Sequence, residues 1–268
     1  MSTIAETTTL ALNADDITVR FGGLVAVKNV SFTIPEKSIV SLIGPNGASK
    51  TTFFNVLTGL YRPTTGSVTL GDLDITGQSP HKIAGLGLGR TFQNIRLFGL
   101  MTAAENVMVA QHSHTTSNIL QIVGRTRHQR REEKEGRAFA QEMLDFVGIG
   151  RHADEYARNL SYGDQRRLEV ARALALKPKV LLLDEPTAGM NPQESATFVD
   201  FVRRVRDERH LSILLIEHDM SVVMRVSERI TVLDQGEKIA EGGADDIRNN
   251  QRVVEAYLGK TGTEGSAR

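Results

Sequence analysis

The amino-acid sequence predicts an α/β fold in which short buried strands alternate with helices in an open sheet. The run Ser38–Ile43 is largely apolar and ends at Gly44, as expected for a strand that is buried on both faces. Two further short apolar runs, Val180–Asp184 and Ser212–Ile216, occur later in the chain. From Lys50 the apolar residues recur at helical spacing. The order strand, glycine-bearing loop and helix opens an α/β unit.

The N-terminal region predicts short strands that precede and follow this unit. Apolar and polar residues alternate in Ile17–Phe21 and Ser31–Ile34, each closed by turn residues, and the alternation resumes in Ser67–Ile75. Short strands are therefore expected here. Residues 1–14 are threonine-rich and aperiodic, and they predict a flexible leader without the basic start and apolar core of a secretory signal.

The remaining elements are a helix after Lys50, a helical middle region and a C-terminal strand pair. Phe53 and Leu57 keep helical spacing, and Gly59 marks the end of that helix. The strand Arg229–Leu233 precedes a hairpin turn at Asp234–Glu237. Residues 260–268 are small and polar, and they predict a flexible tail.

The middle region, about residues 94–176, is interpreted as an inserted helical subdomain. Glu105–Val147 has helical spacing and few β-branched residues. It includes the basic stretch Arg125–Arg131, which acidic residues follow directly. Such a mixed charge run is typical of a solvated helix face, and a phosphate or nucleic-acid patch is the alternative.

Composition narrows the function classes. The chain has 268 residues, its 32 Lys and Arg balance 32 Asp and Glu, and it has no cysteine. The charge balance argues against a nucleic-acid partner, because no global field attracts one. The missing cysteines exclude disulfides, thiolate nucleophiles and cysteine-ligated zinc. The apolar runs are far shorter than the ~18 residues of a membrane span.

A glycine-bearing loop is the first candidate for binding chemistry. Gly44–Thr52 lies between the buried strand and the first helix, where backbone N–H groups and the helix dipole suit a phosphate. Lys50 fits a contact to the outer phosphates and Thr51 fits a magnesium ligand. The strict pattern has glycine directly before the lysine, and this chain has Ser49. A glycine-rich turn before an ordinary helix is the alternative.

Acidic residues and a histidine follow two other predicted strands. Asp184 and Glu185 come at the carboxyl end of Val180–Asp184, which is where open α/β sheets bind ligands. Asp184 suits a magnesium contact, and Glu185 suits the polarisation of an attacking water. His218 follows Ser212–Ile216 and suits a contact to a terminal phosphate. A helix cap or loop is the alternative for the acidic pair, and a structural role is the alternative for the histidine.

A third candidate lies at the start of a predicted helix. Leu168, Ala171 and Leu174 form one apolar face of the segment that follows Leu160–Asp164. Ser161 and Gly163 in that segment stand where a helix N-terminus can hold an anion. A well-capped helix is the alternative.

Taken in order, these segments resemble the ATP-binding subunits of ABC transporters over residues 15–259. The resemblance implies a P-loop NTPase fold with a RecA-like core, an N-terminal antiparallel β subdomain and an inserted helical subdomain. It identifies Gly44–Thr52 as Walker A, Val180–Glu185 as Walker B with the catalytic glutamate, Leu160–Asp164 as the ABC signature, Gln93 as the Q-loop glutamine, Pro186–Asn191 as the D-loop and His218 as the switch histidine.

Finer features are similar to the ATPases of bacterial branched-chain amino acid importers. They are the segments Phe21–Leu24, Arg90–Phe98, Leu160–Glu169 and Ile247–Gly259. The signature departs from the general Leu-Ser-Gly-Gly-Gln at Tyr162 and Asp164, and this departure is typical of the branch. Ser49 departs from the whole superfamily.

The resemblance implies a site for ATP and Mg²⁺. The catalytic residues it implies are Glu185, His218 and Gln93, and the metal ligands are Thr51, Gln93 and Asp184. The nucleotide contacts are Phe21, which stacks on adenine, with Gly44, Pro45, Asn46, Gly47, Ala48, Ser49, Lys50, Thr51 and Thr52, and Ser161, Tyr162, Gly163 and Asp164.

The resemblance also implies partners and a location. A second ATPase subunit would complete a head-to-tail dimer beneath two membrane permeases and a periplasmic binding protein, on the cytoplasmic face of the inner membrane. The expected function is to power uptake of branched-chain amino acids. The alternatives are import of urea, amides or another amino acid, a weakly active variant because of Ser49, and a soluble ABC ATPase outside transport.

Overall fold

A computed structural model describes residues 9–111 and 127–258. The chain divides into two compact units, one formed by residues 1–88 with 179–268 and the other by residues 89–178. The first eight residues of the predicted leader and the whole predicted tail, 260–268, lie outside the described residues.

The described residues form two sheets. A six-stranded sheet has the order β10-β9-β3-β8-β7-β6, and a four-stranded sheet has the order β2-β1-β4-β5. The strands are β1 Leu10–Phe21, β2 Leu24–Pro35, β3 Ile39–Ile43, β4 Thr65–Leu70, β5 Leu73–Asp74, β6 Leu88–Arg90, β7 Val180–Asp184, β8 Ser212–Ile216, β9 Arg229–Asp234 and β10 Glu237–Gly242.

The centre of the six-stranded sheet is parallel, as the apolar runs predict. Strand β3 pairs in parallel with β8 and β9, and β8 pairs in parallel with β7. Every residue of β3, β7 and β8 is buried. Strands covered on both faces need this continuous apolar character, so the α/β prediction is confirmed. The predicted hairpin after β9 is also present, because β10 pairs antiparallel with β9.

The four-stranded sheet is antiparallel and corrects two predictions. Strand β1 begins at Leu10, so the leader predicted for residues 1–14 is wrong for its last residues. Ala11, Leu12 and Ala14 are buried, Leu12 and Ala14 pair with both β2 and β4, and this tertiary packing outweighs the weak local pattern. Ser67–Ile75 is not one strand, because Gly71 with φ of 56° turns the chain between β4 and β5.

Two apolar clusters sandwich the six-stranded sheet. One joins the four-stranded sheet, helix α1 (Lys50–Leu57) and the strands β3, β7 and β8, and Phe32 packs edge to face on Phe53 within it. The other includes Ile43, Val232 and Val253 and lies under the C-terminal helices. Because Ile43 is the last residue of β3, the strand end that leads into the glycine-bearing loop is anchored in the second cluster.

The other helices of the larger unit are α2 Pro80–Gly85, α6 Pro192–Arg209, α7 Met220–Val226, α8 Ala244–Arg248 and α9 Gln251–Leu258. Helix α6 begins with a capping box, in which the Asn191 side chain accepts from the backbone N–H of Glu194 and the Glu194 side chain accepts from that of Asn191. This arrangement satisfies two N–H groups that a helix start otherwise leaves without partners.

The second unit, residues 89–178, is largely helical. Its helices are α3 Ala103–Gln111, α4 Arg127–Phe146 and α5 Tyr162–Ala175. Their buried faces include Val107, Leu144 and Leu168. Most of the basic stretch Arg125–Arg131 has no described side chains, and Arg131 forms an exposed ion pair with Glu135 one helical turn later.

The revised start of β1 predicts a difference in stability between two leucines of the same hairpin. Leu12 is fully buried and Leu24 is 67% exposed. We expect Leu12→Ala to lower the free energy of unfolding by about 2–5 kcal/mol, because it opens a cavity in the core. Leu24→Ala is the matched control, with an expected change within about 0.5 kcal/mol. Urea unfolding of both variants tests the boundary, and equal effects would place residues 10–14 outside the core.

Candidate nucleotide site

Three loops leave the same edge of the parallel sheet. In the β3–β8 pair Leu42 lies opposite Ile216, and in the β7–β8 pair Asp184 lies opposite Ile216. The strands therefore end at the same level. The loops that follow them carry the glycine-bearing segment, the acidic pair and the histidine. The carboxyl ends of parallel strands are the place where open α/β folds bind ligands.

The glycine-bearing loop is held tightly against the sheet. A Cβ on Gly44, whose φ is 153°, would lie 2.1 Å from the backbone oxygen of Leu233, so only glycine fits there. Ala48 is buried, whereas Asn46 and Gly47 are exposed. The Nζ of Lys50 donates to the backbone oxygens of Gly44 at 2.7 Å and Pro45 at 3.1 Å. The lysine thus reaches back across the loop and sets its positive charge within the curve.

Ser49 occupies a left-handed backbone conformation directly before α1, with φ of 69° and ψ of 19°. Residues with a Cβ are disfavoured in this region, because the Cβ comes too close to the backbone. The serine side chain makes no capping hydrogen bond to the helix. The position that the strict pattern fills with glycine therefore has a backbone conformation that favours glycine, and serine is poorly suited to it.

The acidic pair emerges at the end of β7 with different surroundings for each carboxylate. Asp184 is buried, and Glu185 is partly exposed. Glu185 has a φ of 45°, and its backbone N–H donates to the oxygen of Ile216 at 2.9 Å. The exposed His218 lies beside Glu185, with 3.7 Å between His218 Nδ1 and Glu185 Oε2. The structure therefore brings together the glutamate and the histidine that the sequence singles out.

Glu217 is a buried residue of this site that sequence reasoning missed. Its Oε1 atom accepts from the backbone N–H of Thr187 at 2.9 Å and from the Thr187 hydroxyl at 2.5 Å. Its Oε2 atom accepts from the backbone N–H of His218 at 3.1 Å. A charged residue that directly follows a buried apolar strand and precedes a candidate histidine is the sequence signal that was available.

The side chains at this edge supply some of the oxygen ligands that a hard divalent cation needs. Asp184 supplies a carboxylate and Thr51 supplies an exposed hydroxyl on the first turn of α1, and Mg²⁺ prefers such oxygen ligands. Within residues 9–111 and 127–258, acidic and histidine side chains form no group of three or more that could hold a metal. A magnesium ion here would draw its other ligands from phosphate oxygens and water.

The predicted adenine contact, Phe21, lies at the end of β1 and is 47% exposed. Its ring packs edge to face on Tyr61, with 5.4 Å between the centroids. Aromatic faces that remain open to solvent can stack on a planar base. Tyr61 is a second aromatic that the sequence analysis did not select.

The signature segment begins a helix in the second unit. Ser161 is the N-cap of α5, and its hydroxyl accepts from the Asp164 N–H at 3.2 Å and donates to the Asp164 carboxylate at 2.7 Å. Tyr162 and Gly163 are exposed, and Gly163 has open space around its Cα atom. The segment is therefore a capped helix start whose first turn faces solvent, which is compatible with both interpretations of it.

Two buried charges of α5 hold the backbone around Gln93. The guanidinium of Arg166 donates to the backbone oxygens of Phe92 at 2.9 Å and Gln93 at 2.6 Å, and Glu169 accepts from the Phe92 N–H at 3.1 Å. Arg166 and Glu169 also pair at 3.4 Å. Burial raises the pKa of Glu169, and its hydrogen bond from Phe92 and the charge of Arg166 oppose that shift. The sequence analysis did not identify these two residues.

The predicted site residues thus divide between the two units. Phe21, Gly44–Thr52, Asp184, Glu185 and His218 belong to the larger unit, whereas Gln93 and Ser161–Asp164 belong to the helical one. Gln93 is exposed. The roles predicted for the helical-unit residues at the nucleotide remain predictions.

The chain is similar to known proteins over most of its length. Residues 27–188 match the family model described as ABC transporter, and residues 237–262 match one described as branched-chain amino acid ATP-binding cassette transporter. The BraF transport ATP-binding protein of Pseudomonas aeruginosa is 47% identical over 93% of this chain and 98% of its own length. LivG of Escherichia coli is 46% identical over the same shares.

Solved structures show the same fold. The ADP conformation of MJ1267, an ATP-binding cassette of an ABC transporter, has a TM-score of 0.82 and 29% identity and covers 94% of this chain and 100% of its own. The dimeric post-hydrolysis cassette MJ0796, bound to ADP and Pi, has a TM-score of 0.73 and 26% identity, with 87% and 98% covered.

None of the helices in the described ranges combines the length and the apolar character that a bilayer span requires. The family model covers more than half of the chain, and the relatives are similar over nearly their whole length. This chain therefore belongs to the ABC transporter family, as one of its nucleotide-binding ATPase subunits.

Proposed function

We propose that this chain powers the uptake of branched-chain amino acids as the ATP-hydrolysing subunit of an ABC importer. The observation that carries the proposal is the C-terminal match, residues 237–262, to the model of branched-chain amino acid transporters. Two relatives at 46–47% identity are named as branched-chain amino acid transport ATP-binding proteins, which supports the same substrate class.

ATP is proposed to bind at the carboxyl edge of the parallel sheet. Phe21 stacks on the adenine, and the loop Gly44–Thr52 surrounds the phosphates with its N–H groups and the positive end of α1. Lys50 reaches the outer phosphates from its position across the loop. Thr51 and Asp184 hold Mg²⁺, which offsets charge on the phosphate oxygens when bound.

Hydrolysis is proposed to use Glu185 as the base. Its carboxylate accepts a proton from the water that attacks the terminal phosphate, and His218 lies beside it to contact that phosphate. The 3.7 Å between His218 Nδ1 and Glu185 Oε2 supports this assignment, because the two side chains are neighbours. Gln93 is proposed as a further ligand of the metal and the water.

The working unit is proposed to be a head-to-tail pair of ATPase subunits. ATP held by Lys50 and Thr51 of one subunit then meets Ser161 and Gly163 of the other, because Tyr162 and Gly163 open to solvent at the start of α5. The dimeric solved cassette MJ0796 supports a paired state for this fold. Two membrane permeases and a periplasmic binding protein complete the importer, and the permeases hold this subunit on the cytoplasmic side of the membrane.

ATP binding and closure of the subunit pair are thermodynamically linked. If ATP binds the closed pair more tightly than the open pair, it shifts the population toward the closed pair by that difference in affinity. The permeases change conformation as well, because they contact both ATPase subunits and the separation of these subunits changes. Hydrolysis removes the ligand that favours closure, so the pair reopens.

Ser49 is proposed to weaken this cycle. The loop must keep its left-handed turn at φ of 69° to direct its N–H groups inward, and a Cβ at that position costs about 1–2 kcal/mol. The serine side chain makes no capping hydrogen bond to α1 that would offset the cost. The nucleotide affinity is therefore lower than it would be with glycine at position 49.

Replacing the proposed base tests the function at two levels. We expect Glu185→Gln to reduce ATP turnover by about 10²–10⁴-fold, because an amide keeps the size of the side chain and cannot accept the proton. Nucleotide binding should persist, since the phosphate loop is unchanged. The measurements are ATP hydrolysis by the chain assembled with its permeases and uptake of labelled leucine, isoleucine and valine by cells that depend on it.

The matched control is Glu208→Gln, which changes an exposed glutamate on α6 in the same way and should leave both rates unchanged. Turnover of Glu185→Gln within a few-fold of the parent would remove Glu185 from the base role. Uptake of labelled urea or a short amide in place of the amino acids would keep the ATPase assignment and replace the substrate.

Two substitutions at Ser49 separate the backbone effect from the hydroxyl. Ser49→Gly should tighten ATP binding by about five- to thirtyfold, which is about 1–2 kcal/mol, because glycine accepts φ of 69° without steric cost. Ser49→Ala retains the Cβ and should bind ATP like the parent. Titration with a fluorescent ATP analogue at saturating magnesium measures both. Equal tightening by glycine and alanine would assign the defect to the hydroxyl, and no change in either would refute the steric account.

A further inference from the structure

The side chain of Glu217 is a buried carboxylate that joins two loops of the nucleotide site. The residue is 0% exposed, although it directly follows β8 at the edge where the loops emerge. One of its oxygens accepts both the N–H and the hydroxyl of Thr187. The other accepts the N–H of His218 at 3.1 Å and lies 3.5 Å from that of Asp219.

These contacts account for a carboxylate in a water-excluded position. Burial of such a group is costly unless hydrogen bonds replace its hydration. Here the donors come from both sides, with the loop after β7 bound to Oε1 and the segment after β8 bound to Oε2. The hydrogen bonds therefore form a cross-link between the two segments, because either segment loses partners if it moves away from the other.

The cross-link lies next to the two residues with proposed roles in hydrolysis. Thr187 is two positions after Glu185, and His218 directly follows Glu217. Glu185 has a φ of 45°, a conformation that persists in a non-glycine residue only where the surroundings hold it. The Glu217 link to Thr187 and the bond from the Glu185 N–H to Ile216 hold the two sides of this turn.

We propose that Glu217 is a positioning residue for ATP hydrolysis, which fixes Glu185 and His218 relative to each other by clamping Thr187 onto the segment after β8. The inference rests on the hydrolytic roles proposed above for Glu185 and His218. The hydrogen bonds of the Glu217 carboxylate described above come from Thr187, His218 and Asp219, whereas the phosphate loop follows a different strand, β3. Loss of the clamp therefore acts on the chemical step more than on ATP binding.

Two substitutions break the clamp from opposite sides. Glu217→Gln keeps the size of the side chain but has one acceptor oxygen, so it can satisfy either Thr187 or the His218 N–H and presents N–H donors to the other. Thr187→Val keeps the shape of the threonine and removes only its hydroxyl donor. Thr197→Val is the matched control, because it removes a threonine hydroxyl bound at 3.0 Å to the Gln193 oxygen on the exposed face of α6.

The test measures kcat and KM for ATP in the chain assembled with its permeases, nucleotide affinity, and thermal stability. We expect Glu217→Gln and Thr187→Val each to lower kcat about 10–100-fold, because small misplacements of reacting groups cost on that order. KM and affinity should stay within about threefold of the parent, and Thr197→Val should match the parent throughout. The kcat of the double variant should be no more than about threefold below that of the less active single variant, because both substitutions disrupt the same hydrogen-bonded clamp.

Parent-like kcat in a folded Glu217→Gln variant would overturn the proposal, as would parallel losses of kcat and ATP affinity, which indicate a general structural role. Multiplicative losses in the double variant would also overturn it. If Glu217→Gln fails to fold, Thr187→Val decides by the same criteria. Failure of the proposed function is distinguishable, because it appears as parent-like turnover in Glu185→Gln whatever the clamp variants do.

Discussion

The parallel pairing of β3, β8 and β7 is the constraint on which the rest of the site depends. Leu42 and Asp184 both lie opposite Ile216, so three loops that are far apart in sequence leave the sheet at one level. Burial on both faces sets this register, because a shift along the sheet would move apolar side chains out of the two clusters. The glycine-bearing loop, the acidic pair and the histidine therefore lie at the same edge of the sheet.

Two residues in strained backbone conformations lie where these loops turn. Ser49 and Glu185 both have positive φ, at 69° and 45°. Such conformations persist where the surroundings over-determine them. At Ser49 the surroundings are the close approach of Gly44 to Leu233 and the start of α1. At Glu185 they are the bond to Ile216 and the Glu217 clamp. The two strained residues flank the proposed position of the terminal phosphate. The strained backbone therefore lies where the reaction is proposed to occur.

The sequence predicts the parts of the molecule that local pattern controls. Ser38–Ile43 and Val180–Asp184 read as buried strands because parallel strands need continuous apolar character. The glycine requirement before Lys50 follows from the same kind of local argument, and the φ of Ser49 agrees with it. The burial of Leu12 and Ala14 cannot be predicted from local pattern, because these residues pair with β2 and β4, which follow later in the chain.

Buried polar residues were harder to predict for a related reason. Nothing in the sequence near Glu217 indicates that Thr187, thirty positions earlier, supplies two of its hydrogen bonds. Arg166 and Glu169 read as polar positions of a helix, yet they hold the backbone of Phe92 and Gln93. Tertiary contacts of this kind appear only once the fold brings the segments together. They support the residues that motifs identify.

The most direct test of the central claim is a crystal structure of the Glu185→Gln chain with ATP and magnesium. The account predicts that the phosphates lie in the curve of Gly44–Thr51, with Lys50 Nζ at hydrogen-bond distance from an outer phosphate oxygen. The terminal phosphate should face residue 185 and His218, and the Thr187–Glu217 contacts should be unchanged. ATP bound with its phosphates away from the carboxyl ends of β3, β7 and β8 would contradict the account.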